Sequence, residues 1–194
     1  MKILIACEYS GVVRDAFIKR GHDAMSCDIL PTDAPGPHYQ GDVMDIINDG
    51  WDLMIAHPPC THLAVSGAKH FAKKRADGRQ QQGIDFFMSL ANAPIDRYAI
   101  ENPVCIMSTI WRKPDQIIQP YQFGHTSRKT TCLWLKGLPD LIPTQIVEPE
   151  LYVCKNGKTF SKDYMVALSA GEKRGHLRSK TYQGIADAMA QQWG

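Results

Sequence analysis

Four side chains of this sequence stand where open α/β proteins do chemistry: Asp28, Asp42, Cys60 and Glu101, each at the end of a strand-like run. Ligands bind beyond the carboxyl edge of such a sheet, so residues at strand ends share one crevice. Asp28 and Asp42 suit the ribose and base of a nucleoside cofactor. Cys60 and Glu101 suit a second ligand. A thiol with a carboxyl group matches one reaction well, substitution at carbon 5 of a pyrimidine. Thiolate addition to carbon 6, with the carboxyl group hydrogen-bonding and protonating N3, makes carbon 5 able to take an electrophilic methyl group.

The elements that must position these residues follow in chain order. Lys2-Ile3-Leu4-Ile5-Ala6-Cys7 is an apolar run typical of a central parallel strand. Glu8-Tyr9-Ser10-Gly11 makes a turn. A helix is predicted over 12–20, with Val13, Phe17 and Ile18 inward and Gly21 closing it. A second strand over 22–29 carries Asp28 near its end. Strand, turn, helix, strand and acid together resemble a mononucleotide-binding unit. After an irregular proline-rich connection (31–37), Gln40-Gly41-Asp42-Val43 reads as a third short strand and 44–48 as a helical turn. Leu53-Met54-Ile55-Ala56 is a buried strand, stopped by Pro58-Pro59, which cannot donate to a sheet ladder. Cys60 therefore sits on a stiff loop.

Residues 63–79 mix small, apolar and basic side chains without a period and read as a loop. A helix follows over 80–92, with Ile84, Phe87, Met88 and Ala91 on one side. A strand over 97–100 ends at Glu101-Asn102-Pro103, and the proline opens a short helix through Ile110. Beyond Trp111, five prolines break up any long element. Residues 130–135 are β-rich, and Asn156-Gly157 signals a hairpin between 151–155 and 158–160. A closing helix over 181–193 turns Ile185, Met189 and Trp193 inward.

A length of 194 residues matches one domain with a full core. Hydrophobic residues at 44% and charged residues at 22% are ordinary for a soluble globular chain. No signal segment opens the sequence, and no apolar run approaches the roughly 20 residues that span a bilayer. A cytoplasmic protein without a membrane partner is expected. The net charge of +2 makes no case for an overall nucleic-acid coat, but the basic residues cluster. Lys69, His70, Lys73, Lys74, Arg75 and Arg79 form one stretch, and Lys173, Arg174, His176, Arg178 and Lys180 another; both read as phosphate-binding. The six scattered cysteines read as free thiols of a reducing compartment.

Taken in this order, the motifs closely resemble those of the cytosine carbon-5 DNA methyltransferases over about residues 3–110. Cys7-Glu8-Tyr9-Ser10-Gly11 looks like a glycine-poor form of the family's first motif, and Asp28 with Ile29 matches its ribose-binding acid. Gly41-Asp42-Val43 matches the adenine-side motif. Pro58-Pro59-Cys60-Thr61, continued by His62 and Ser66-Gly67, looks like the nucleophile motif, and Glu101-Asn102-Pro103 the Glu-Asn-Val motif. Arg128, with Lys129 as the alternative, is similar to a later basic motif.

The resemblance implies a Rossmann-like S-adenosylmethionine-dependent methyltransferase fold, a mostly parallel sheet with helices on both faces. It makes Cys60, Glu101 and Arg128 catalytic. Residues 7–11, Asp28, Ile29, Asp42, Val43 and Pro58 would face the cofactor, S-adenosylmethionine. Pro59, Thr61, His62, Ser66, Asn102 and Lys129 would face the substrate, DNA or a pyrimidine nucleotide. Two positions depart from the family: Thr61 replaces a glutamine, and Pro103 a valine. The large target-recognition domain is also missing; a small hairpin insert at about 136–180 takes its place within one domain, 1–194. Such a trimmed enzyme suits a phage or prophage, with a short DNA context, single-stranded DNA or a free nucleotide as substrate.

Other readings are weaker. His57, Cys60 and His62 have a His-x-x-Cys-x-His spacing but no distant fourth ligand, so no metal is expected. The two histidines read as loop residues near the substrate that lower the Cys60 pKa from its reference near ~8.5. One glycine in the first turn argues against an NAD fingerprint. The alternatives are a methyltransferase of free pyrimidine nucleotides and a catalytically idle nucleic-acid-binding relative; the latter needs neither Cys60 nor Glu101.

Overall fold

Apolar side chains alternate between two faces along the central strands. Leu4, Ala6, Met54, Ala56 and Ile100 pack to one side; Ile3, Ile5, Leu53, Ile55 and Ala99 pack to the other. Strands buried on both faces read as unbroken apolar runs, which is why they stand out in the sequence. The computed structural model describes residues 1–154, 156–162, 175 and 179–194. Its strands are β1 (Lys2–Ala6), β2 (Asp23–Asp28), β3 (His38–Gln40), β4 (Leu53–Ala56), β5 (Tyr98–Asn102), β6 (Gln116–Ile118), β7 (Thr131–Lys136), β8 (Leu151–Val153) and β9 (Thr159–Ser161). Its helices are α1 (Val12–Ile18), α2 (Phe71–Ala76), α3 (Arg79–Ala91), α4 (Met107–Ile110) and α5 (Gln183–Trp193).

Seven strands form one sheet in the order β3-β2-β1-β4-β5-β7-β6. The first five are parallel to one another, and β7 runs antiparallel between β5 and β6. This is the strand order of the Rossmann-like class I S-adenosylmethionine-dependent methyltransferases. Helices α1 and α5 cover one face, where Val13, Phe17, Ile185, Met189 and Trp193 are buried. On the other face α3 brings Phe87 and Leu90 against Met54, Ile100 and Trp134. Full burial of each such side chain stabilises by about 1.5–3 kcal/mol.

Several predicted boundaries shift. β1 stops at Ala6, because Cys7 adopts a left-handed backbone with φ of 58°. Helix α1 ends at Ile18, which points outward and is 38% exposed. The strand predicted over 40–43 ends at Gln40 instead. Asp42 caps a 3-10 turn over Val43–Asp45, its Oδ1 accepting from Met44 N at 3.0 Å. An aspartate that caps a turn competes with the sheet ladder for the backbone. Residues 63–79, predicted as a loop, carry a 3-10 helix over Val65–His70 and then α2. Neither buries a residue, so neither leaves a hydrophobic period to read. β6 was not predicted either; it is three residues long and buries only Ile118. The hairpin forms, with β8 antiparallel to β9 and Gly157 at φ of 77°, although Lys155 lies outside the described residues. Lys173, Arg174, His176 and Arg178 of the second basic stretch lie outside them too.

The proline-rich connection is held by one side chain. The Arg14 guanidinium, fully buried, donates to Asp15 Oδ1, Ser26 Oγ, Thr32 Oγ1 and the carbonyls of Ala34 and Pro35, at 2.8–3.3 Å. A Cβ on Gly36, at φ of 155°, would lie 2.7 Å from that guanidinium. The connection and α1 are thereby one unit.

Candidate active site

The carboxyl edge of β1, β2 and β3 is acidic. Asp28, at the end of β2, accepts from Leu30 N through Oδ1 at 2.9 Å, which engages one of its two oxygens. Asp42 lies beyond β3 and is exposed. Both are near Cys7: burial pushes that thiol's pKa far up, and the charges of Asp28, Cys27 and Asp42 add to it. Cys27 is pushed up to about 12 by burial first, then by Asp28, Asp42 and Asp45. The thiols at this end of the sheet are therefore protonated and unreactive.

The first turn divides its labour. Glu8 is buried and faces the start of α1, accepting from Ser10 Oγ at 2.9 Å, Val13 N at 2.8 Å and Arg14 N at 3.4 Å. It satisfies helix amides that have no partner inside the helix, in the region of positive dipole. Gly11 precedes α1 with φ of 76°. The Tyr9 hydroxyl shares a hydrogen bond with Ser179 Oγ, and Lys180 pairs with Asp33 at 2.8 Å. Ile29 is 75% exposed, whereas Val43 is buried in the core.

The donor set fits S-adenosylmethionine. Its ribose hydroxyls and adenine amine need acceptors, and Asp28 and Asp42 stand on neighbouring edges to supply them. Its positive sulfonium suits an acidic edge. Asp28, Asp42 and the backbone of residues 7–11 would hold it.

The second half of the site lies on β4 and β5. Their parallel register pairs Ala56 with Ile100, which sets His57 beside Glu101. His57 Nδ1 is 3.1 Å from Glu101 Oε2, with side chains 10% and 18% exposed. Burial acts to raise the Glu101 pKa. The His57 hydrogen bond and the charge of Lys129 together outweigh it and hold the carboxyl below its ordinary range. At neutral pH Glu101 is a carboxylate.

The loop carrying Cys60 is fixed from two sides. Asn102, 1% exposed, donates from Nδ2 to the Pro58 carbonyl at 2.8 Å. Leu63 N and Ala64 N donate to the Cys60 carbonyl, and Ala64 bridges to Cys105. Pro58 is buried and Pro59 exposed, while Cys60 is partly exposed. Thr61 is exposed, and its carbonyl accepts from Lys74 Nζ, which ties α2 to this loop. His62 is half-buried, and its carbonyl accepts from Gln80 Nε2. Ser66 is exposed on the 3-10 helix.

Of the two basic candidates, Lys129 lines the same cavity as Glu101, and Arg128 is hydrogen-bonded to β9. The Arg128 amide donates to Ser161 Oγ at 2.7 Å and its guanidinium to Thr159 Oγ1 at 2.9 Å, both on β9. Lys129 lies over the Tyr182 ring at 5.9 Å. With His57, Glu101, Thr131, Thr181, Tyr182, Ile185 and Met189 it lines one small cavity.

Sequence reasoning missed the pairing of His57 with Glu101, and the part played by Thr181 and Tyr182. The first had a usable signal, since parallel pairing of β4 with β5 sets the residues after Ala56 and Ile100 side by side. A wider hollow lined by Met1, Trp51, Asp52, Pro94, Asp96 and Arg97 lies at the opposite edge of the sheet.

Among the described residues no three His, Cys, Asp or Glu side chains come together as a metal-binding group. None of the helices described is long and apolar enough to cross a membrane. No protein-family model matches the chain, and no curated protein matches it. The architecture is that of an S-adenosylmethionine-dependent methyltransferase.

Proposed function

We propose that this protein transfers a methyl group to carbon 5 of cytosine in DNA, with Cys60 as nucleophile and Glu101 as the contact to N3. The observation that carries this reading is the Asn102–Pro58 hydrogen bond. It ties the strand bearing Glu101 to the loop bearing Cys60, which supports their acting on one base. S-Adenosylmethionine, bound along the Asp28 and Asp42 edge, supplies an electrophilic methyl group. The Cys60 thiolate adds to carbon 6, and the displaced electron pair moves through the ring toward N3. Glu101 passes N3 a proton taken up from water as the base enters, and carbon 5 becomes nucleophilic. After transfer, water takes the carbon 5 proton, the electron pair of that bond re-forms the carbon 5–carbon 6 double bond and expels Cys60 as a thiolate, and N3 returns its proton to Glu101. Lys129 supports the negative charge of Glu101 before the base enters and whenever the carboxyl group is ionised.

The exposed cations Lys69, Lys73 and Arg75, on the 3-10 helix and α2, support a DNA substrate. They flank the Cys60 loop, where a phosphate backbone would pass. If the DNA is duplex, the cytosine must leave the stack, which costs a few kcal/mol. The shortness of the interval between β7 and α5 supports a loosely specified target.

Oligonucleotides containing 5-fluorocytosine provide the test. Fluorine at carbon 5 blocks the final elimination, so the protein should remain covalently attached in the presence of S-adenosylmethionine. Cys60→Ala should form no adduct and transfer no label. Undiminished transfer by Cys60→Ala would overturn the mechanism.

A further inference from the structure

We infer that His57 is a positioning residue: its Nδ1–H, donated to Oε2, fixes which oxygen of Glu101 is left to face the incoming base. This inference rests on the function proposed above and assigns a part to a residue that function does not use. Three observations carry it. First, the ring is set by its backbone. His57 N donates to the Ala6 carbonyl at 2.9 Å, and Pro58 restricts the conformation of the residue before it. Second, the contact is short and little exposed, 3.1 Å between groups 10% and 18% open to solvent, so water competes weakly for the carboxylate. Third, His57 Nε2 is buried and has no hydrogen-bond partner among the described residues. An N–H left unpaired there is unfavourable, so a single ring proton belongs on Nδ1, where Glu101 accepts it.

The other titratable groups around Glu101 act differently. Lys129, ahead of β7, contributes positive charge from beside Tyr182. Cys132 on β7 is a buried thiol, pushed up by burial and then by the Glu101 charge. Tyr182 presents its ring from the start of α5. With Oε2 taken by His57, Oε1 is the oxygen directed to N3.

Three substitutions test this, because asparagine places an amide N–H near the position of Nδ1 and glutamine near that of Nε2. His57→Phe should lower kcat roughly 10- to 100-fold, with KM for S-adenosylmethionine unchanged. It should also move the limb of the pH profile set by Glu101 to higher pH. His57→Asn should restore most of both, and His57→Gln should restore neither. In parallel, the Glu101 carboxyl is titrated by carbon-13 NMR in the protein without DNA. It should titrate at higher pH in His57→Phe and return toward wild type in His57→Asn. Thermal melts confirm that each variant is folded. Unchanged Glu101 titration in folded His57→Phe would overturn the inference, as would rescue by glutamine equal to that by asparagine. If the wild-type protein methylates no cytosine, the proposed function fails by itself; the NMR titrations then decide whether His57 positions Glu101.

Discussion

Asn102 Nδ2 donates to the Pro58 carbonyl across 2.8 Å in the interior, joining the end of β5 to the loop after β4. Residues 44 apart in sequence thereby tie the Cys60 loop to the strand that carries Glu101. Asn102→Ala leaves a buried carbonyl without its donor, at a cost of about 1–3 kcal/mol. The urea midpoint should fall accordingly, and 5-fluorocytosine adduct formation should slow more than cofactor binding weakens. An unchanged midpoint would mean that Pro58 finds another donor.

Glu101 links stability to acid. Its pKa in the folded protein lies below the ordinary 4.5, so the folded state binds this proton less readily than the unfolded chain. The contribution is fully present above the unfolded value. It is lost as pH falls from about 4.5 through the lower folded value. Glu101→Gln removes the titration. The stability gap between wild type and Glu101→Gln, from urea titrations at pH 3 to 7, should therefore shrink on the acid side and stay level near neutrality. A gap independent of pH would contradict the depressed pKa.

Asp28 and Asp42 should act on cofactor affinity before they act on transfer. Asp28→Asn and Asp42→Asn each lose a charged acceptor, a change of about tenfold or more in Kd for S-adenosylmethionine. Calorimetry checks this directly. Cys60→Ala is the contrast, with Kd unchanged and transfer abolished.

How much of this was legible in the sequence follows from burial. β1, β4 and β5 announced themselves because both of their faces are covered, and α5 because Ile185, Met189 and Trp193 repeat on one side. Helix α2 did not, because it buries no face and its residues obey solvent rather than a period. The turn after β3 was hidden because Asp42 reads equally as a strand end and as a cap. At the site, the residue types at strand ends pointed to a crevice, but the partners within it were not visible. Arg128 and Lys129 are adjacent in sequence, and only the docking of the former onto β9 separates them. Thr181 and Tyr182 come from beyond the hairpin to line the same cavity as Glu101, a relation that no local pattern encodes.

The buried Arg14 has a kinetic meaning. The 31–37 segment has no regular structure, yet it cannot open alone, because its two carbonyl contacts and Thr32 converge on a guanidinium anchored in α1. Opening must break several contacts together and strip a buried guanidinium of three of its acceptors, which is strongly unfavourable. A stretch with the composition of a cleavable linker should therefore resist proteases for as long as α1 stays docked, and its first nick would report loss of the β1–α1–β2 unit.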